Sequence, residues 1–399
     1  MKKITTLPTP FVFVVVLTIL ITFRSWFSMG IDLKFWSPLL ALLIFAAGSR
    51  YMRFDGKAFM LMFLCLIADF TFTRGNINAY FGALLTISPF LVFCAIRPQV
   101  RINLLVTFNK ILAVIVAIST FFWILHLVGV PLLHSRLDFG ENYAYDNYYF
   151  FLDVIISISY LDFFPRFHAI FVEPSIIGML CPMMLFLDGF RMKKWYNIVY
   201  MVSLLLSFSL AGFVLFALAL IPHVLYGSVG RSRSRIGYLF IALVILGVGY
   251  YAMYVAEESS VIYQMLGQRL EWDAEKGTIT GYDRSGEDIN DFLATRFWNS
   301  SNVFFGFGPD LQYNGVDIKV FLAKYGVVSL ALYVFFLFYC YTTRKSKYGL
   351  WWLLIVFLAF YRGYSIMFWP GFLMLYLMGL DYLSYSKNKA LDAWDTTIS

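Results

Sequence analysis

The stretch RFHAIFVEPSIIGMLCPMMLFLDGF, residues 166–190, contains the features that decide how this chain folds. Its second part, residues 174–190, is apolar and close to the roughly 20 residues that a helix needs to cross a bilayer. Proline is favoured in the first turn of a helix, where its missing N–H removes no hydrogen bond. The stretch therefore predicts a membrane-spanning helix that begins at Pro174 and has Glu173 at its N-terminal end.

The same apolar character extends over the rest of the chain. Of its 399 residues, 60% are hydrophobic, 20% are aromatic and 14% are charged, which is too little charge for a soluble protein of this size. Repeated apolar runs without strict alternation favour helices, so the predicted fold is all-α. We predict a polytopic membrane protein with a single integral membrane domain, residues 1–399, and about twelve transmembrane helices. The predicted spans are residues 9–23, 35–48, 58–72, 79–96, 104–128, 174–190, 196–209, 211–226, 237–255, 318–341, 349–361 and 366–384.

Two features of these spans leave alternatives. The N-terminal segment resembles a signal peptide, but it lacks a small-residue cleavage site, so we interpret it as an uncleaved first helix. Spans seven and eight meet at a corner of small residues, 207–212, and could instead form one broken helix. All four cysteines fall inside apolar runs without ligand-like spacing, which predicts neither a disulfide framework nor a metal site.

The positions of the basic residues predict the orientation of the chain. With a cytoplasmic N-terminus, the inner segments, such as RMKK, RSRSR and TTRKSK, hold 19 of the 31 lysines and arginines. This asymmetry follows the positive-inside rule and predicts that both termini are cytoplasmic. It also accounts for most of the net charge of +7, so no nucleic-acid partner is predicted. Two long segments, residues 130–173 and 256–317, remain as outer loops, and loops on a rigid scaffold often carry function.

The first outer loop ends in a charged cluster. Arg166, His168 and Glu173 lie close to the predicted outer face, either before a helix that begins at Pro174 or along a longer helix kinked there. Ionisable residues this close to the membrane are often functional. The alternatives are that the arginine only reaches the interface and that the glutamate only caps the helix.

The same loop contains ENYAYDNYYFFLD, residues 141–153. Interleaved tyrosines, amides and carboxylates suit a sugar, because aromatic rings stack on its C–H faces and polar groups bond its hydroxyls. Tyr145 and Tyr148 are therefore candidate substrate-binding residues. An aromatic belt at the membrane interface is the competing interpretation.

The second outer loop also carries arginines. Arg284 and Arg296 precede a turn at Gly306 and Gly308, and Asp317 lies at the start of span ten. Arginine suits phosphate because its planar guanidinium donates two parallel hydrogen bonds and stays charged. Arginines in both loops suggest that a diphosphate is held between them. The alternative is salt bridging with the neighbouring acidic residues, which are Asp283, Glu287, Asp288 and Asp291.

Three stretches resemble bacterial O-antigen polymerases of the Wzy type. They are RFHAIFVEPSIIGML, the following SFSLAGFVLFALAL with its Ser-x-Ser-x-x-Gly corner, and FFGFGPDLQYNGVDIKVFLAKYGVVSLALYVFF with its Gly-x-Gly turn and glycine-interrupted helix. The resemblance covers the chain from Arg166 onward, and the first half is similar only in hydropathy. The superfamily also includes O-antigen ligases, which use a histidine in the last large loop. This chain has no histidine after His223, which favours a polymerase.

The resemblance implies a metal-independent, membrane-embedded glycosyltransferase without a cofactor. Its substrates would be undecaprenyl-diphosphate-linked glycans at the periplasmic face of the bacterial inner membrane. Arg166, Arg284 and Arg296 would then bind the diphosphate, His168 would contact substrate, and Glu173 or Asp317 would act as the base. Membrane lipids and a chain-length regulator protein would be its other partners. Alternatives are a ligase or other glycan-lipid transferase, and a flippase, which would place ionisable residues mid-bilayer.

Overall fold

The computed structural model shows a mostly helical protein. The structure describes residues 7–73, 77–138, 144–154, 165–226, 247, 250–251, 254–260, 263, 267–273, 278–279, 287–308, 310–311, 313, 318–362 and 369–398. Its helices are α1 (Thr9–Thr22), α2 (Leu33–Gly48), α3 (Gly56–Phe72), α4 (Ile77–Cys94), α5 (Pro98–Leu127), α6 (Pro174–Asp188), α7 (Trp195–Leu206), α8 (Leu210–Tyr226), α9 (Gln268–Leu270), α10 (Glu287–Phe292), α11 (Ile318–Thr342), α12 (Lys347–Arg362) and α13 (Pro370–Ile398). Helices therefore lie at eleven of the twelve predicted spans. Most of the ninth span, 237–255, lies outside the described residues.

Four of the described helical segments are long and apolar enough to cross a membrane. They are Leu33–Tyr51, Ile77–Cys94, Pro98–Leu127 and Ile318–Thr342. Large apolar side chains cover outer surfaces as well, with Phe35 78% exposed and Leu42 66% exposed. Broad exposed apolar surfaces mark contact with a membrane or another protein. The structure is thus compatible with a helical membrane protein, and twelve crossings stay a prediction.

The chain forms two compact units. The first comprises Met1–Phe23, Ser28–Phe108 and Arg284–Ser399, and the second comprises Arg24–Phe27 and Asn109–Asp283. In the first unit α13 packs against α1, α4 and α12, and α11 packs against α3 and α12. In the second unit α6 packs against α7 and α8. The single integral membrane domain, with loops at 130–173 and 256–317, stays a prediction.

One helix in each unit contains a long stretch that is buried on all sides, as expected of a helix at the centre of a core. In α6 every side chain from Ile176 to Asp188 is buried. In α13 the side chains from Phe372 to Met378 are at most 1% exposed. Because α6 is held in the core along its length, the position of Glu173 at its N-terminus is fixed as well.

A few short strands accompany the mostly helical fold, which agrees with the predicted helical class. Antiparallel strands β1 (Ser135–Asp138), β2 (Ala144–Asn147) and β3 (Leu152–Val154) form one sheet, in the order β1-β2-β3. A second pair, β4 (Trp272–Asp273) and β5 (Thr278–Ile279), lies in the second predicted loop. Each strand has only two to four residues. In so short a strand the alternation of polar and apolar side chains is too brief to be recognised in a sequence rich in aromatic residues, so the strands were not predicted.

Candidate functional site

Glu173 lies at the N-terminus of α6, as its position before Pro174 predicts. Its backbone is extended and its side chain makes no hydrogen bond to a helix N–H, so it is not a side-chain cap. Its Oε2 instead accepts a hydrogen bond of 2.8 Å from the Ser175 hydroxyl. The helix dipole favours a carboxylate at this end. Residues 165–173 are not helical, so the alternative of a longer helix kinked at Pro174 does not occur.

Arg166 connects this segment to the corner between α7 and α8. Its Nε donates to the Ser207 carbonyl and its Nη2 donates to the Phe208 carbonyl, each at 3.0 Å. The backbone N–H of Phe167 adds a bond of 3.1 Å to the Leu206 carbonyl. The planar guanidinium matches two successive carbonyls well. The Arg166 side chain therefore positions the corner. A diphosphate would have to compete with these two carbonyls for the guanidinium.

The corner, residues 207–209, separates α7 from α8. The Ser207 hydroxyl donates to the Leu204 carbonyl at 2.7 Å, and the Ser209 hydroxyl accepts from the Gly212 N–H at 3.3 Å. Ser209 thus caps α8 in the manner typical of serine. Spans seven and eight are accordingly two helices joined by a corner of three residues.

Two glycines let α6 and α8 approach each other closely beside the corner. A Cβ built at Gly212 would lie 2.7 Å from the Gly178 carbonyl oxygen. A Cβ built at Gly178 would lie 2.5 Å from the Cβ of Ser209. Close backbone contacts of this kind stabilise helix pairs in membranes through packing. They hold the corner beside the first turns of α6.

Gly212→Ala is expected to destabilise the second unit. The new methyl group would meet the backbone of Gly178 as well as the Leu204 side chain. Because the backbone cannot move aside as a side chain can, α6 and α8 would have to separate, at a cost of about 1–3 kcal/mol. Thermal unfolding in detergent, followed by tryptophan fluorescence, measures the effect. Gly56→Ala is the matched control, because a Cβ at that helix start meets no atom within 4 Å. An equal unfolding temperature for both variants would contradict the close contact.

His168 lies in the non-helical segment before α6 and is buried, with 4% of its surface exposed. Burial, and secondarily the charge of Arg166, lower the pKa of His168 to about 3. The imidazole is therefore neutral at physiological pH and supplies no positive charge for a diphosphate. Among the described residues, its Nδ1 has no hydrogen-bond partner. The predicted contact between His168 and substrate would accordingly be a neutral hydrogen bond.

Unusual backbone conformations concentrate in the segments around Glu173. Arg24, Ala169 and Phe208 have φ angles of 55°, 52° and 44°, a region that residues other than glycine seldom adopt. They are three of the five non-glycine residues with positive φ in the described parts of the chain. Such conformations cost about 1–3 kcal/mol each and cluster at functional sites. Their concentration here makes this end of α6 the candidate functional site.

A segment that was not predicted from the sequence also belongs to this site. Residues 24–27 run antiparallel to residues 170–172. The Trp26 N–H donates to the Ile170 carbonyl at 2.8 Å, and the Val172 N–H donates to the Arg24 carbonyl at 3.1 Å. The exposed Arg24 thus lies beside the residue that precedes Glu173. The feature of the sequence that could have indicated this segment is an arginine, Arg24, directly after the first apolar run.

The two candidate sugar-binding tyrosines lie in different surroundings. Tyr145, in the middle strand β2, is 3% exposed. Tyr148 is half-buried and stacks on Phe151, with ring centroids 4.7 Å apart and an angle of 5° between the planes. The ring of His126 is 4.7 Å from Tyr148, and His126 Nε2 lies 2.9 Å from Asp153 Oδ2. Tyr148 is therefore the better placed of the two, and sugar binding stays a prediction for both.

In the second predicted loop, Arg296 lies in a single π-helical turn, Leu293–Phe297, and is exposed. Arg284 and Asp317 lie outside the described residues. The convergence of the arginines on one diphosphate therefore stays a prediction. Beside Arg296, the side chains of Ile289, Phe292 and Phe297 form a small apolar core with the start of α11. This core gives the loop a folded base.

The Gly306–Gly308 turn joins the same loop to α11. Gly306 and Gly308 have φ angles of 73° and 111°, and the interruption of α11 at Gly326 has φ 78°. The Phe307 N–H donates to the Ala323 carbonyl at 2.8 Å. A Cβ at Gly326 would lie 2.4 Å from the Phe304 carbonyl oxygen. The glycines therefore serve turn and contact geometry, as the sequence indicates.

Together these observations define a mostly helical protein whose described part includes four segments able to cross a membrane and a strained polar site at the N-terminus of α6. Comparisons with protein-family models, curated proteins and solved structures find no match for the chain.

Proposed function

We propose that this protein is a membrane-embedded glycosyltransferase. It joins undecaprenyl-diphosphate-linked repeat units into a surface polysaccharide, such as O-antigen, at the periplasmic face of the bacterial inner membrane. The observation that carries the proposal is the site at the start of α6. There Glu173, the neutral His168 and the Arg166-bound corner lie among strained backbone segments. The proposal includes twelve spans and cytoplasmic termini.

The reaction is a displacement at the anomeric carbon of the donor glycan. The acceptor hydroxyl oxygen forms the new C–O bond while the bond from that carbon to the diphosphate breaks. Glu173 takes the hydroxyl proton, and the bonding electrons leave with undecaprenyl diphosphate. Arginines next to the departing oxygens would stabilise the developing negative charge. A half-buried carboxylate oriented by Ser175 is suited to accept the proton.

Arg166 and Arg296 would have different roles, because Arg166 is hydrogen-bonded to the corner and Arg296 is exposed. Arg166 already donates to two carbonyls of the corner, so it positions the site. Arg296 is exposed and, within the part of the chain that the structure describes, is not bonded to main-chain carbonyls as Arg166 is. Arg284 and Asp317 keep their proposed roles in diphosphate binding and as the alternative base.

Reconstitution tests the reaction itself. The purified chain in proteoliposomes should convert undecaprenyl-diphosphate-linked oligosaccharide into a ladder of longer lipid-linked glycans, with release of undecaprenyl diphosphate. Glycan transfer to a lipid A acceptor instead would identify a ligase. Movement of the substrate between leaflets without elongation would identify a flippase. Either result would replace the proposed function.

Arg296→Lys is expected to slow elongation on the order of a hundredfold, because lysine lacks the two-pronged guanidinium. Folding should be unaffected, since Arg296 is exposed. The measurement is the rate of ladder formation at saturating substrate, together with the unfolding temperature. Arg53→Lys is the matched control, because it is an equally conservative exchange at an exposed surface ion pair. A wild-type rate for Arg296→Lys would remove Arg296 from the diphosphate site.

A further inference from the structure

A groove on the outer surface of α11 and α12 is lined only by apolar and aromatic side chains. Its volume is about 440 Å³, and its walls include Val334 and Phe338 from α11 and Leu350, Trp351 and Leu354 from α12. Val334, Phe338, Leu350 and Leu354 are 37–51% exposed, so the groove is open to the surroundings of the protein. In a bilayer such a groove accepts a hydrocarbon chain.

A basic turn lies at the foot of the groove. The turn TTRKSK, residues 342–347, joins α11 to α12, and both Lys345 and Lys347 are exposed. Lys347 precedes Leu350 by three positions and Trp351 by four, so it lies on the same helix face, directly below the groove wall. Phe338 lies about one helical turn before Thr342, where α11 ends and the basic turn begins. The positive charge of the turn therefore lies at one end of the apolar groove.

The N-terminus of α12 adds to this preference for negative charge. The helix begins at Lys347, and its first turn is capped by Ser346, whose hydroxyl accepts from the Gly349 N–H at 2.9 Å. The positive end of a helix dipole favours anions. Trp351 is half-buried one turn further on, and tryptophan is favoured at the level of lipid headgroups. The order is thus cationic turn, interfacial tryptophan, apolar groove.

We propose that this surface binds a phospholipid with a negatively charged headgroup, taken from the leaflet that the basic turn faces. The headgroup phosphate meets Lys345, Lys347 and the start of α12, and one acyl chain lies in the groove. Basic pockets between membrane helices bind anionic headgroups in this way. The site is independent of the proposed glycosyl transfer, because it uses neither Glu173 nor the arginines assigned to the diphosphate.

Native mass spectrometry of the delipidated full chain tests the proposal. Phosphatidylglycerol should bind about 25-fold more tightly than phosphatidylcholine of the same chains, because two lysines each contribute about fivefold. The double variant Lys345→Gln/Lys347→Gln should weaken phosphatidylglycerol about 25-fold and leave phosphatidylcholine unchanged. Lys57→Gln/Lys193→Gln, at exposed lysines outside the groove, should have no effect.

Other outcomes overturn the proposal. Equal affinities for the two lipids would show that the turn does not select charge. An equal loss in the control variant would show that binding depends only on overall charge. Tighter binding of undecaprenyl phosphate than of phosphatidylglycerol would assign the groove to a carrier lipid.

A groove variant separates chain binding from headgroup binding. Leu354→Trp should fill the groove and weaken both phospholipids while the basic turn is intact. Should this variant fail to fold, phosphatidylglycerol with a photoreactive acyl chain should label residues of α11 or α12 in the unmodified protein. Labelling only of other helices would contradict the groove as the site.

Discussion

Glu173→Gln is expected to abolish visible polymer while leaving the protein folded. Glutamine keeps the shape of the side chain and can still accept the hydrogen bond from Ser175, but it cannot take a proton from the acceptor hydroxyl. Loss of a general base typically slows a reaction about 10²- to 10⁴-fold. The measurement is elongation of undecaprenyl-diphosphate-linked oligosaccharide in proteoliposomes, with the unfolding temperature as a check on folding.

Two matched variants make the Glu173 result specific. Glu258→Gln removes an exposed carboxylate from the second predicted loop and should elongate glycans at the wild-type rate. Ser175→Ala removes the hydroxyl that orients Glu173 and should give an intermediate rate, because the carboxylate remains. A full ladder from Glu173→Gln would move the role of the base to Asp317 or away from side chains altogether.

Asp381→Ala should cause a larger loss of stability than Gly212→Ala. The Asp381 carboxylate accepts from Arg101 Nε at 2.6 Å and from Arg344 Nε at 2.5 Å. All three side chains are largely buried, at 3%, 2% and 12% exposure respectively. Removal of the acid leaves two guanidiniums without a counter-charge, which typically costs about 3–5 kcal/mol. The unfolding midpoint, measured at a fixed scan rate in one detergent, reports the loss.

The control for Asp381 is an ion pair at the surface. Arg53 and Asp55 are 3.6 Å apart, with side chains 73% and 40% exposed. Arg53→Ala should therefore change stability by at most about 1 kcal/mol. Asp381→Asn, which keeps an acceptor oxygen but no charge, should lie between the two. Similar midpoints for Asp381→Ala and Arg53→Ala would show that the buried network contributes little.

The sequence predicted the features that depend on neighbouring residues. Pro174 and the apolar run after it placed the start of α6 and the position of Glu173. The small residues at 207–212 indicated the corner between α7 and α8. These signals are local, because proline and small polar residues act on the backbone beside them.

The contacts that build the site are not local, and no short pattern reports them. Arg166 bonds carbonyls 41 and 42 positions away, and Arg101 bonds Asp381 across 280 positions. A carbonyl exists at every residue, so the sequence gives no indication of which one an arginine will meet. The pairing of residues 24–27 with residues 170–172 was missed for the same reason, and so was the place of Arg24.

The junction between the second loop and α11 has a consequence for how such a protein can change over evolutionary time. Its bonds run between main-chain atoms, from the Phe307 and Gly308 N–H groups to α11 and from the Val328 N–H to the Phe304 carbonyl. Gly306 and Gly326 are required there, since a Cβ at either would overlap backbone, and Gly308 has a φ of 111° that favours glycine. The exposed side chains of the loop, outside the apolar core around Phe292 and Phe297, can vary without loosening this attachment. Substitutions at those exposed positions can therefore accumulate in the loop while the helical frame stays unaltered.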